Sequence, residues 1–410
     1  MPDISRRRLL TTTGAAGAAG LALGAAGGGA LGHATADTEG DAAPALATVG
    51  ATAVPFHGTR QPGITTPMQA HGHLAAFDLL PAAGRREAAA LLRHWSALSA
   101  DLMAGEGPRD DTGIALDAGP ASLTVTFGLG HGFFDATGLA SARPAALDPL
   151  PAFSADALDP ARSGGHLWVQ IGADDGLVAF RALRTLQRAA AGTAEVRWTM
   201  GGFNRSPGAT ARPMTTRNLM GQVDGTNNPD PADDDFDARV FVPADGDPAW
   251  MAHGSYAVVR RIRMLLDTWD ALPTDTRERV IGRRTSDGAP LTGGSETSPV
   301  DLDATDGEGR PVIAANAHVR VTSPDTNGGA AMLRRPFSYH DGFLDDGSPD
   351  AGLLFICWQA DPLRGFVPVQ RKLDRGDALS EFVRHEASAL FAVPGGAAQG
   401  EYVGQRLLEG

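Results

Sequence analysis

The same order of strand-like and helix-like segments occurs twice along the chain, and this repetition limits the fold more than any other feature. In the first half, apolar and partly β-branched runs predict strands, and Leu167, Val169 and Ile171 alternate as a strand with one buried face requires. Alanine- and leucine-rich segments between and after these runs predict helices. The predicted strands are 71–80, 121–130 and 164–173, and the predicted helices are 84–103 and 175–192.

The second half repeats this mixture. Strands are predicted at 254–266, 315–321 and 352–359, a helix at 276–282, and a last helix within 378–396 that leads to a short strand. Such a pattern predicts an α+β fold with antiparallel sheets in two domains. The acidic, proline-rich segment between Pro229 and Pro248 is typical of a connecting loop. We therefore place the first domain at 53–230 and the second at 231–410.

The N-terminal segment has the pattern of an export signal. Three arginines lie within Ser5 to Leu10, a mildly apolar Ala/Gly/Leu stretch follows, and a small-residue cleavage pattern ends at Ala36. A twin-arginine pair before a glycine-rich stretch indicates the Tat route, which exports folded proteins that often already hold a cofactor. The predicted signal is 1–36 and the predicted linker is 37–52. We expect the mature protein on the outer side of the cytoplasmic membrane or outside the cell.

Charge and cysteine content exclude several kinds of protein. Removing residues 1–36 takes away three Arg and one Asp, so the net charge of −13 becomes −15, which disfavours nucleic acids and anionic membranes as partners. No later segment is long and apolar enough to span a bilayer. The single cysteine, Cys357, excludes an internal disulfide, cysteine-rich zinc and iron–sulfur sites, and haem attachment through C-x-x-C-H. Cys357 itself is interpreted as a small buried apolar residue.

The segment GQVDGTNNP, residues 221–229, has two interpretations. Asp-Gly followed by Asn-Asn-Pro is typical of a tight turn. The preceding run RNLM ends in apolar residues, so Asp224 is expected at the edge of a packed apolar region. Asp224 is therefore either part of a turn or a residue that does chemistry.

Two basic positions downstream share this ambiguity. His318 lies in NAHVRV, where a strand would place Arg320 on the same face. A lone strand histidine is more often a satisfied core residue than a ligand. Arg334 and Arg335 are adjacent, so a strand would direct one inward, where it needs an anion or a developing negative charge. The alternative for this pair is two surface arginines beside a turn.

The remaining metal and phosphate patterns are weak. His71 and His73 would share a strand face, but the sequence offers no evident third ligand. The acidic segment 301–309 lacks the ligand spacing of a calcium loop, since Val312 stands where a glutamate is needed. The glycine-rich segment 128–132 lacks the ending of a phosphate-binding loop. We interpret these segments as structural.

Taken in order, a set of longer motifs resembles the dye-decolourising peroxidases, in particular the Tat-exported, deferrochelatase-like subgroup. The resemblance covers nearly all of the chain after the signal. G-x-x-D-G alone is a weak signal, but the full set in this order is specific. One departure is Pro336, which stands where relatives usually have glycine after the arginine pair. The motifs are FHGTRQPGI (56–64), LTVTFGLG (123–130), VQIGADD (169–175), RNLMGQVDGTNNP (217–229), VIGRRTSDGAPL (280–291), AHVR, LRRPFSY and GLLFICWQADPLRGFVPVQRKL (352–373).

This resemblance implies a fold, a cofactor and an activity. The fold is α+β, with two ferredoxin-like domains related to the dimeric α+β barrel superfamily. The cofactor is haem b, one per chain, bound non-covalently and mainly by the second domain. The activity is a peroxidase that reduces hydrogen peroxide and oxidises bulky organic donors such as dyes and phenols in one-electron steps.

The resemblance also assigns roles to residues. His318 is the proximal iron ligand, with Glu381 or another acid near the last helix as the partner of its second nitrogen. Asp224 is the distal acid and base, and Arg334 stabilises charge as the O–O bond breaks, although Arg335 is one position away. Arg283 pairs with a haem propionate. The other predicted haem contacts are Gly225, Thr226, Asn227, Arg320, Leu353 and Phe355.

The physiological electron donor and the oligomeric state are not defined by the sequence, and a homo-oligomer is compatible with it. Bulky donors predict relay residues at the surface, with Tyr339, Tyr256, Trp198 and Trp358 as candidates, although each alone is better explained as core. Two other functions remain open. One is a deferrochelatase-like protein that handles haem or releases iron, and the other is a haem-binding module without catalysis. Asp224 together with Arg334 favours catalysis, because a carrier needs neither.

Overall fold

In the computed structural model, which describes residues 48–107, 113–210 and 214–410, nine β-strands form the framework. Valine, isoleucine, phenylalanine and tryptophan, which have high β-propensity, are among the residues at the buried positions of these strands. The strands are β1 His71–Leu79, β2 Thr124–Gly130, β3 Leu167–Ala173, β4 Ala194–Phe203, β5 Ser255–Met264, β6 Leu333–Arg334, β7 Phe337–Phe343, β8 Pro349–Gln359 and β9 Val383–Val393.

Helices connect these strands. Asp175 shows how one of them begins: its side chain accepts hydrogen bonds from the backbone N–H groups of Leu177 and Val178, which have no partner inside the helix. The helices are α1 Thr48–Ala51, α2 Arg85–Met103, α3 His131–Ala136, α4 Gly176–Ala190, α5 Phe236–Val240, α6 Leu266–Asp270, α7 Thr274–Ile281, α8 His318–Thr322, α9 Phe366–Gly376 and α10 Gln405–Leu408.

The two halves have the same topology. In the first half, β1–α2–β2–β3–α4–β4 folds into an antiparallel sheet with strand order β2-β3-β1-β4. In the second half, β5, its following helices, β7, β8, α9 and β9 fold into an antiparallel sheet with order β9-β5-β8-β7, and β6 adds to β8. Both orders are ferredoxin-like, so the predicted α+β fold class is confirmed. The domain boundary at 230/231 stays a prediction, since Leu46–Gly410 forms one compact unit.

The two sheets are joined at their edges. Leu129 and Gly130 of β2 pair with β9, and Phe203 of β4 pairs with Ser338 of β7, so the main strands follow one another in a closed ring. At Phe127, before the pairing with β9 begins, the outer edge of β2 is covered differently. The side-chain amide of Gln61 donates to the carbonyl of Phe127 (3.0 Å) and accepts from its N–H (2.8 Å). One side chain thus replaces a neighbouring strand at this position.

The core inside the ring comes from both halves. Trp168 of β3 stacks on Phe391 of β9 with ring centroids 5.2 Å apart, and lies 5.9 Å from Trp358 of β8. All three side chains are fully buried. Close approach is permitted by glycine on the facing strand: a Cβ on Gly72 would lie 2.6 Å from the ring of Phe337. The halves are therefore held together by tightly packed aromatic surface.

Replacing Trp168 by alanine should strongly destabilise the protein. The change removes a fully buried indole and leaves a cavity between the two sheets, so we expect the free energy of unfolding to fall by about 3–5 kcal/mol. Denaturant unfolding followed by fluorescence measures this. Leu177→Ala, at an exposed position of α4, is the control and should change the value by less than about 0.5 kcal/mol. Equal effects of the two variants would contradict this account of the core.

Most predicted elements are confirmed. The strands predicted at 71–80, 121–130, 164–173, 254–266 and 352–359 are β1, β2, β3, β5 and β8, and the predicted helices 84–103, 175–192 and 276–282 are α2, α4 and α7. The predicted signal lies outside the described residues, as does the linker up to residue 47. Its last part, 48–52, instead contains α1, whose Gly50 carbonyl accepts a bond from the N–H of Ala121.

Two predicted elements were wrong. The segment 315–321, predicted as a strand, contains the short helix α8, so His318 and Arg320 do not share a strand face. The last helix predicted within 378–396 is only a 3₁₀ turn at Ala378–Phe382, followed by β9. His385, Ala387, Ala389 and Phe391 are buried at every second position, which is the strand period. The alanine-rich composition had favoured a helix.

No helix of the described residues has both the length and the apolar character to cross a membrane.

Candidate active site

Strand β8 presents one face to the interior of the ring and the other to the candidate site. Leu354, Ile356 and Trp358 pack in the aromatic core between the sheets. Leu353, Phe355 and Cys357, at the alternate positions, contact the apolar residues on the outer side of the sheet. The predicted wall residues Leu353 and Phe355 therefore share a face, as strand periodicity requires. Both are surrounded by side chains from the helices that cover this face.

The register of β6 distinguishes the two adjacent arginines. Arg334 pairs directly with Cys357, so its side chain lies on the face of Leu353 and Phe355. Arg335 points the other way, is buried, and donates to the carbonyl groups of Thr66 and Pro67 in the N-terminal segment. Burial lowers the pKa of Arg335 to about 10. Arg335 has a structural role, and only Arg334 can face a ligand on the outer side of the sheet.

Arg334 forms an ion pair with Asp224. Its Nη1 donates to Oδ1 of Asp224 over 2.7 Å, and Nδ2 of Asn218 lies 3.3 Å from the second carboxylate oxygen. The side chains of Asp224 and Arg334 are 16 % and 26 % exposed, so the pair is sheltered but accessible to a small molecule. An acid and a guanidinium in this arrangement can exchange a proton with a bound substrate and stabilise a nearby negative charge.

The loop that carries Asp224 is a turn, as one interpretation of GQVDGTNNP predicted, and a chemical role of Asp224 stays a prediction. Gly221 has φ of 78° and Gly225 has φ of 130°, values that favour glycine. The N–H of Asp224 donates to the carbonyl of Thr216 (2.9 Å), and Nη1 of Arg217 donates to the carbonyl of Gly221 (2.7 Å). These bonds hold the carboxylate at a defined position.

Asn228 fixes the backbone of Arg334. Its Nδ2 donates to the carbonyl of Arg334 (2.8 Å), and its Oδ1 accepts from the backbone N–H of Arg334 (3.1 Å). The loop of Asp224 is thereby tied to the strand of Arg334, 106 residues further along the chain. Nothing in the sequence assigned Asn228 this position, since an Asn before proline is common in any turn.

Asn228→Ala should therefore separate the acid from the arginine. We expect unfolding free energy to fall by about 1–3 kcal/mol because two backbone groups lose their partner. The peroxidase turnover per haem that the resemblance implies should fall by about tenfold or more because the pair is displaced. Steady-state kinetics normalised to haem content measure this, with Asp234→Ala, an exposed acid of the same loop, as the control. A variant that loses stability yet keeps full turnover per haem would leave Asn228 a structural residue only.

His318 begins the short helix α8, and its partner is Asp377, which fits the predicted alternative of another acid near the last helix. Nδ1 of His318 lies 2.8 Å from Oδ2 of Asp377, whose side chain is only 4 % exposed. The predicted partner Glu381 is wrong, since Glu381 is exposed one turn further on. The carboxylate of Asp377 also accepts a hydrogen bond from the backbone N–H of Leu379 at the start of the 3₁₀ turn. An aspartate at the start of a helical turn is the sequence signal by which Asp377 could be identified. Burial alone would lower the pKa of His318, but the carboxylate of Asp377 outweighs burial and raises it.

This geometry suits a metal ligand. With Nδ1 held by a carboxylate, Nε2 of His318 has no protein partner within the described residues and can bind a metal. The charge of Arg334 lowers the pKa of His318 and that of Asp224 raises it. The described residues contain no cluster of three metal-ligating side chains. Iron held by His318 alone needs its other ligands from a bound group, and the apolar wall of Leu353 and Phe355 fits the flat face of a porphyrin.

The other predicted haem contacts lie near this region with protein partners of their own, and their roles stay predictions. Nη1 of Arg283 donates to the carbonyls of Gly288 and Glu296, both at 2.8 Å. Burial lowers the pKa of Arg283, while Glu296 opposes this effect. Thr226 Oγ1 donates to the carboxylate of Glu296 (3.0 Å).

Asn227 and Arg320 differ from these. The side chain of Asn227 is exposed. The guanidinium of Arg320 donates hydrogen bonds to the carbonyls of Leu302 and Ile313, and these bonds anchor the loop before α8. As predicted contacts of a cofactor, these two have the least support from the geometry.

The candidate relay residues do not lie at the surface. Tyr339, Tyr256, Trp198 and Trp358 are at most 5 % exposed, and Tyr339 and Trp358 belong to the aromatic core inside the ring. Their interpretation as core residues fits better than a role as surface contacts for a dye. His71 and His73 share a face of β1, as expected, without a third ligand in the described part of the chain.

Comparison with known sequences gives a consistent family match. Residues 61–204 match the profile described as "Dyp-type peroxidase, N-terminal", and residues 215–398 match "Dyp-type peroxidase, C-terminal". The dye-decolorizing peroxidase of Thermobifida fusca (strain YX) is 48 % identical, in an alignment covering 99 % of this chain and 97 % of the relative. The deferrochelatase of Escherichia coli (strain K12) is 37 % identical, covering 86 % of this chain and 87 % of the relative.

Comparison with solved structures agrees. The crystal structure of a DyP-type peroxidase from Streptomyces coelicolor superposes with a TM-score of 0.88 at 69 % sequence identity. The match covers 90 % of this chain and all of that chain. Fold, sequence and site geometry thus point to the same group of proteins.

Proposed function

This chain belongs to the Dyp-type peroxidase family and is a haem-dependent peroxidase that uses hydrogen peroxide, and we propose that His318, Asp224 and Arg334 are its functional residues. The observation that carries this assignment is the pairing of two acids with two basic groups at one site. Asp377 holds His318, and Asp224 holds Arg334. The haem-binding function and the chemistry of the family require these residue types.

In this proposal each residue has one task. Haem, when bound, supplies the two-electron chemistry that reduces hydrogen peroxide to water. His318 holds the iron through Nε2, because Nδ1 is engaged by Asp377. Asp224 accepts a proton from one oxygen of hydrogen peroxide and returns it to the departing oxygen. Arg334 stabilises the negative charge that develops as the O–O bond breaks, and keeps the carboxylate of Asp224 in place.

The mode of haem binding and the donors are further parts of the proposal. We propose one non-covalent haem b per chain, held by His318, by the apolar wall of Leu353 and Phe355, and by Arg283 at a propionate. Covalent attachment through a thioether is disfavoured by the single cysteine, Cys357, which is buried and hydrogen-bonded to Gln359. The proposed donors are organic molecules such as phenols and dyes, each giving one electron.

Export by the Tat route remains a proposal that rests on residues 1–36. The arginines at positions 6 to 8 and the small-residue pattern support it. Cell fractionation of the full chain beside a variant with these three arginines changed to lysine tests it. Equal export of both would rule out the twin-arginine route.

The alternative of haem handling or iron release is not favoured. Its support is the resemblance to proteins named deferrochelatase, which are less similar to this chain than the dye-decolorizing peroxidase is. A haem carrier also has no need of a sheltered acid–arginine pair.

An absorption spectrum of the purified, haem-loaded protein tests the peroxidase assignment. We expect the ferric haem band to change on addition of one equivalent of hydrogen peroxide and to return when an organic donor is added. Peroxide that leaves the band unchanged while haem stays bound would contradict catalysis. Failure to bind haem after reconstitution would contradict the whole assignment.

A further inference from the structure

A cavity of about 740 Å³ lies under the loop 147–158, against β9, and none of the residues placed in the candidate active site lines it. We call it the side cavity. Its apolar wall includes Leu147, Leu150 and Phe153. Its size falls in the range of small-molecule sites, and an apolar wall with a few polar groups is typical of them.

Arg260 of β5 lines the side cavity and has unused donors. Its side chain is 1 % exposed, and Nη2 donates to the carboxylate of Asp156. Nε and Nη1 have no hydrogen-bond partner within the described residues. Buried N–H groups of a guanidinium without an acceptor are costly, which points to an acceptor supplied by a ligand.

The surroundings of Arg260 define what this ligand needs. The guanidinium carbon lies 5.5 Å from the ring centre of Phe153 and 5.8 Å from that of Phe366. Aromatic rings therefore flank the cation, and a planar ligand can pack beside them. The N–H of Nε lies on the edge of the guanidinium shared with Nη2, so one ligand cannot span Nε and Nη1, and Nη1 is the donor left for it. A carboxylate is the acceptor suited to such a charge-assisted hydrogen bond.

The other arginine at the side cavity does not compete for such a ligand. Nη1 of Arg197 donates to Asp78 (2.8 Å), and its Nε and Nη2 donate to the carbonyls of Ser163 and Pro160. All three nitrogens of Arg197 are thus satisfied by the protein. Arg260 remains the lining arginine with free donors among the described residues.

The side cavity is connected to the candidate active site by packed rings. Phe153 contacts Phe366 at 6.1 Å between ring centres, and Phe366 contacts Phe355 at 6.2 Å. Phe355 belongs to the wall of the site. A molecule in the side cavity is therefore two ring contacts away from the residues that face the haem.

We propose that the side cavity binds a small aromatic carboxylic acid carrying a phenol, which serves as a reducing substrate. The carboxylate accepts a hydrogen bond from Nη1 of Arg260, and the ring packs on the apolar wall. The reaction balances as two phenols and one hydrogen peroxide giving two phenoxyl radicals and two waters, each phenol losing one electron and one proton. This inference rests on the proposed peroxidase function.

Calorimetric titration of the haem-loaded protein with 4-hydroxybenzoate tests the inference. Phenol, which lacks the carboxylate, should bind at least about tenfold more weakly, as expected for losing a charge-assisted hydrogen bond. Arg260→Lys keeps a positive charge beside Asp156 but loses the planar donors, and should weaken binding of 4-hydroxybenzoate by about tenfold or more. Ala152→Trp, an exposed position at the side cavity, should block it without removing a buried group.

The matched control is Ala145→Trp, an exposed alanine of the neighbouring turn that does not line the side cavity. It should bind 4-hydroxybenzoate like the unaltered protein. The spectral change with one equivalent of peroxide should be the same in the unaltered protein and in the three variants. If this change is absent from the unaltered protein, the peroxidase function is contradicted, whatever the side cavity binds. If that change occurs but 4-hydroxybenzoate does not bind at millimolar concentration, or binds equally to Ala152→Trp and Ala145→Trp, the side cavity is not its site.

Discussion

His318→Ala should lose haem. The variant removes the side chain that we propose binds iron, so we expect haem affinity to fall by more than about a hundredfold, beyond the loss typical for residues that merely support a ligand. After reconstitution and gel filtration, haem content per chain should drop from about one to near zero. The reason lies in the site: within the described residues no group of three side chains could hold the metal in its place.

His340→Ala provides the control for this result. His340 is an exposed histidine in the middle of β7, whose ring contacts Phe343. It should keep its haem and the native absorption spectrum. If His318→Ala retains an unchanged haem spectrum, His318 is not the iron ligand. Without haem, His340→Ala should unfold like the unaltered chain, and His318→Ala should be less stable by about 1–3 kcal/mol because Asp377 loses its partner, yet both should still unfold cooperatively, which separates loss of a ligand from loss of the fold.

Asp224→Asn should retain haem and lose turnover. Asparagine has nearly the same shape but cannot accept the proton of hydrogen peroxide, and general acid–base catalysis contributes about 10²–10⁴-fold. We expect the rate of the spectral change with peroxide to fall by this factor. The ion pair with Arg334 is also lost, so stability should fall only modestly, because the pair is partly exposed to solvent.

Stopped-flow absorption measures this rate directly. Asp234→Asn, an exposed acid ten residues further along the same segment, is the control and should react like the unaltered protein. A haem-loaded Asp224→Asn that reacts at the full rate across the whole pH range would assign the proton transfer to another group. Arg334 would then have to act without the acid beside it.

The sequence predicted the fold well wherever periodicity was local. Strands such as β1, β3 and β5 have alternating or continuous apolar runs that no helix of the same length would show. The failures came from short or ambiguous segments. The residues around His318 are β-branched and apolar enough for a strand, yet the chain forms a single helical turn there, because packing against α9 and the contact with Asp377 determine its conformation.

The candidate site was predicted in composition but not in detail. The roles of Asp224, His318 and Arg334 came from the resemblance to a family, since the residues alone left each of them ambiguous. The resemblance also favoured Arg334 over Arg335, and the register of β6 on β8 supports that choice. Asn228 and Asp377 act through contacts across 106 and 59 residues, and such pairings leave no local pattern in a single sequence.

The amide of Gln61 at the outer edge of β2 has a consequence for aggregation. An uncovered strand edge is a template onto which a strand of another molecule can add. The ring of paired strands removes most such edges, and Gln61 occupies both hydrogen-bonding groups of Phe127 where pairing with β9 has not yet begun. A second molecule therefore finds no free N–H and C=O at this position. The segment around Gln61 thus protects this edge of the folded chain against self-association.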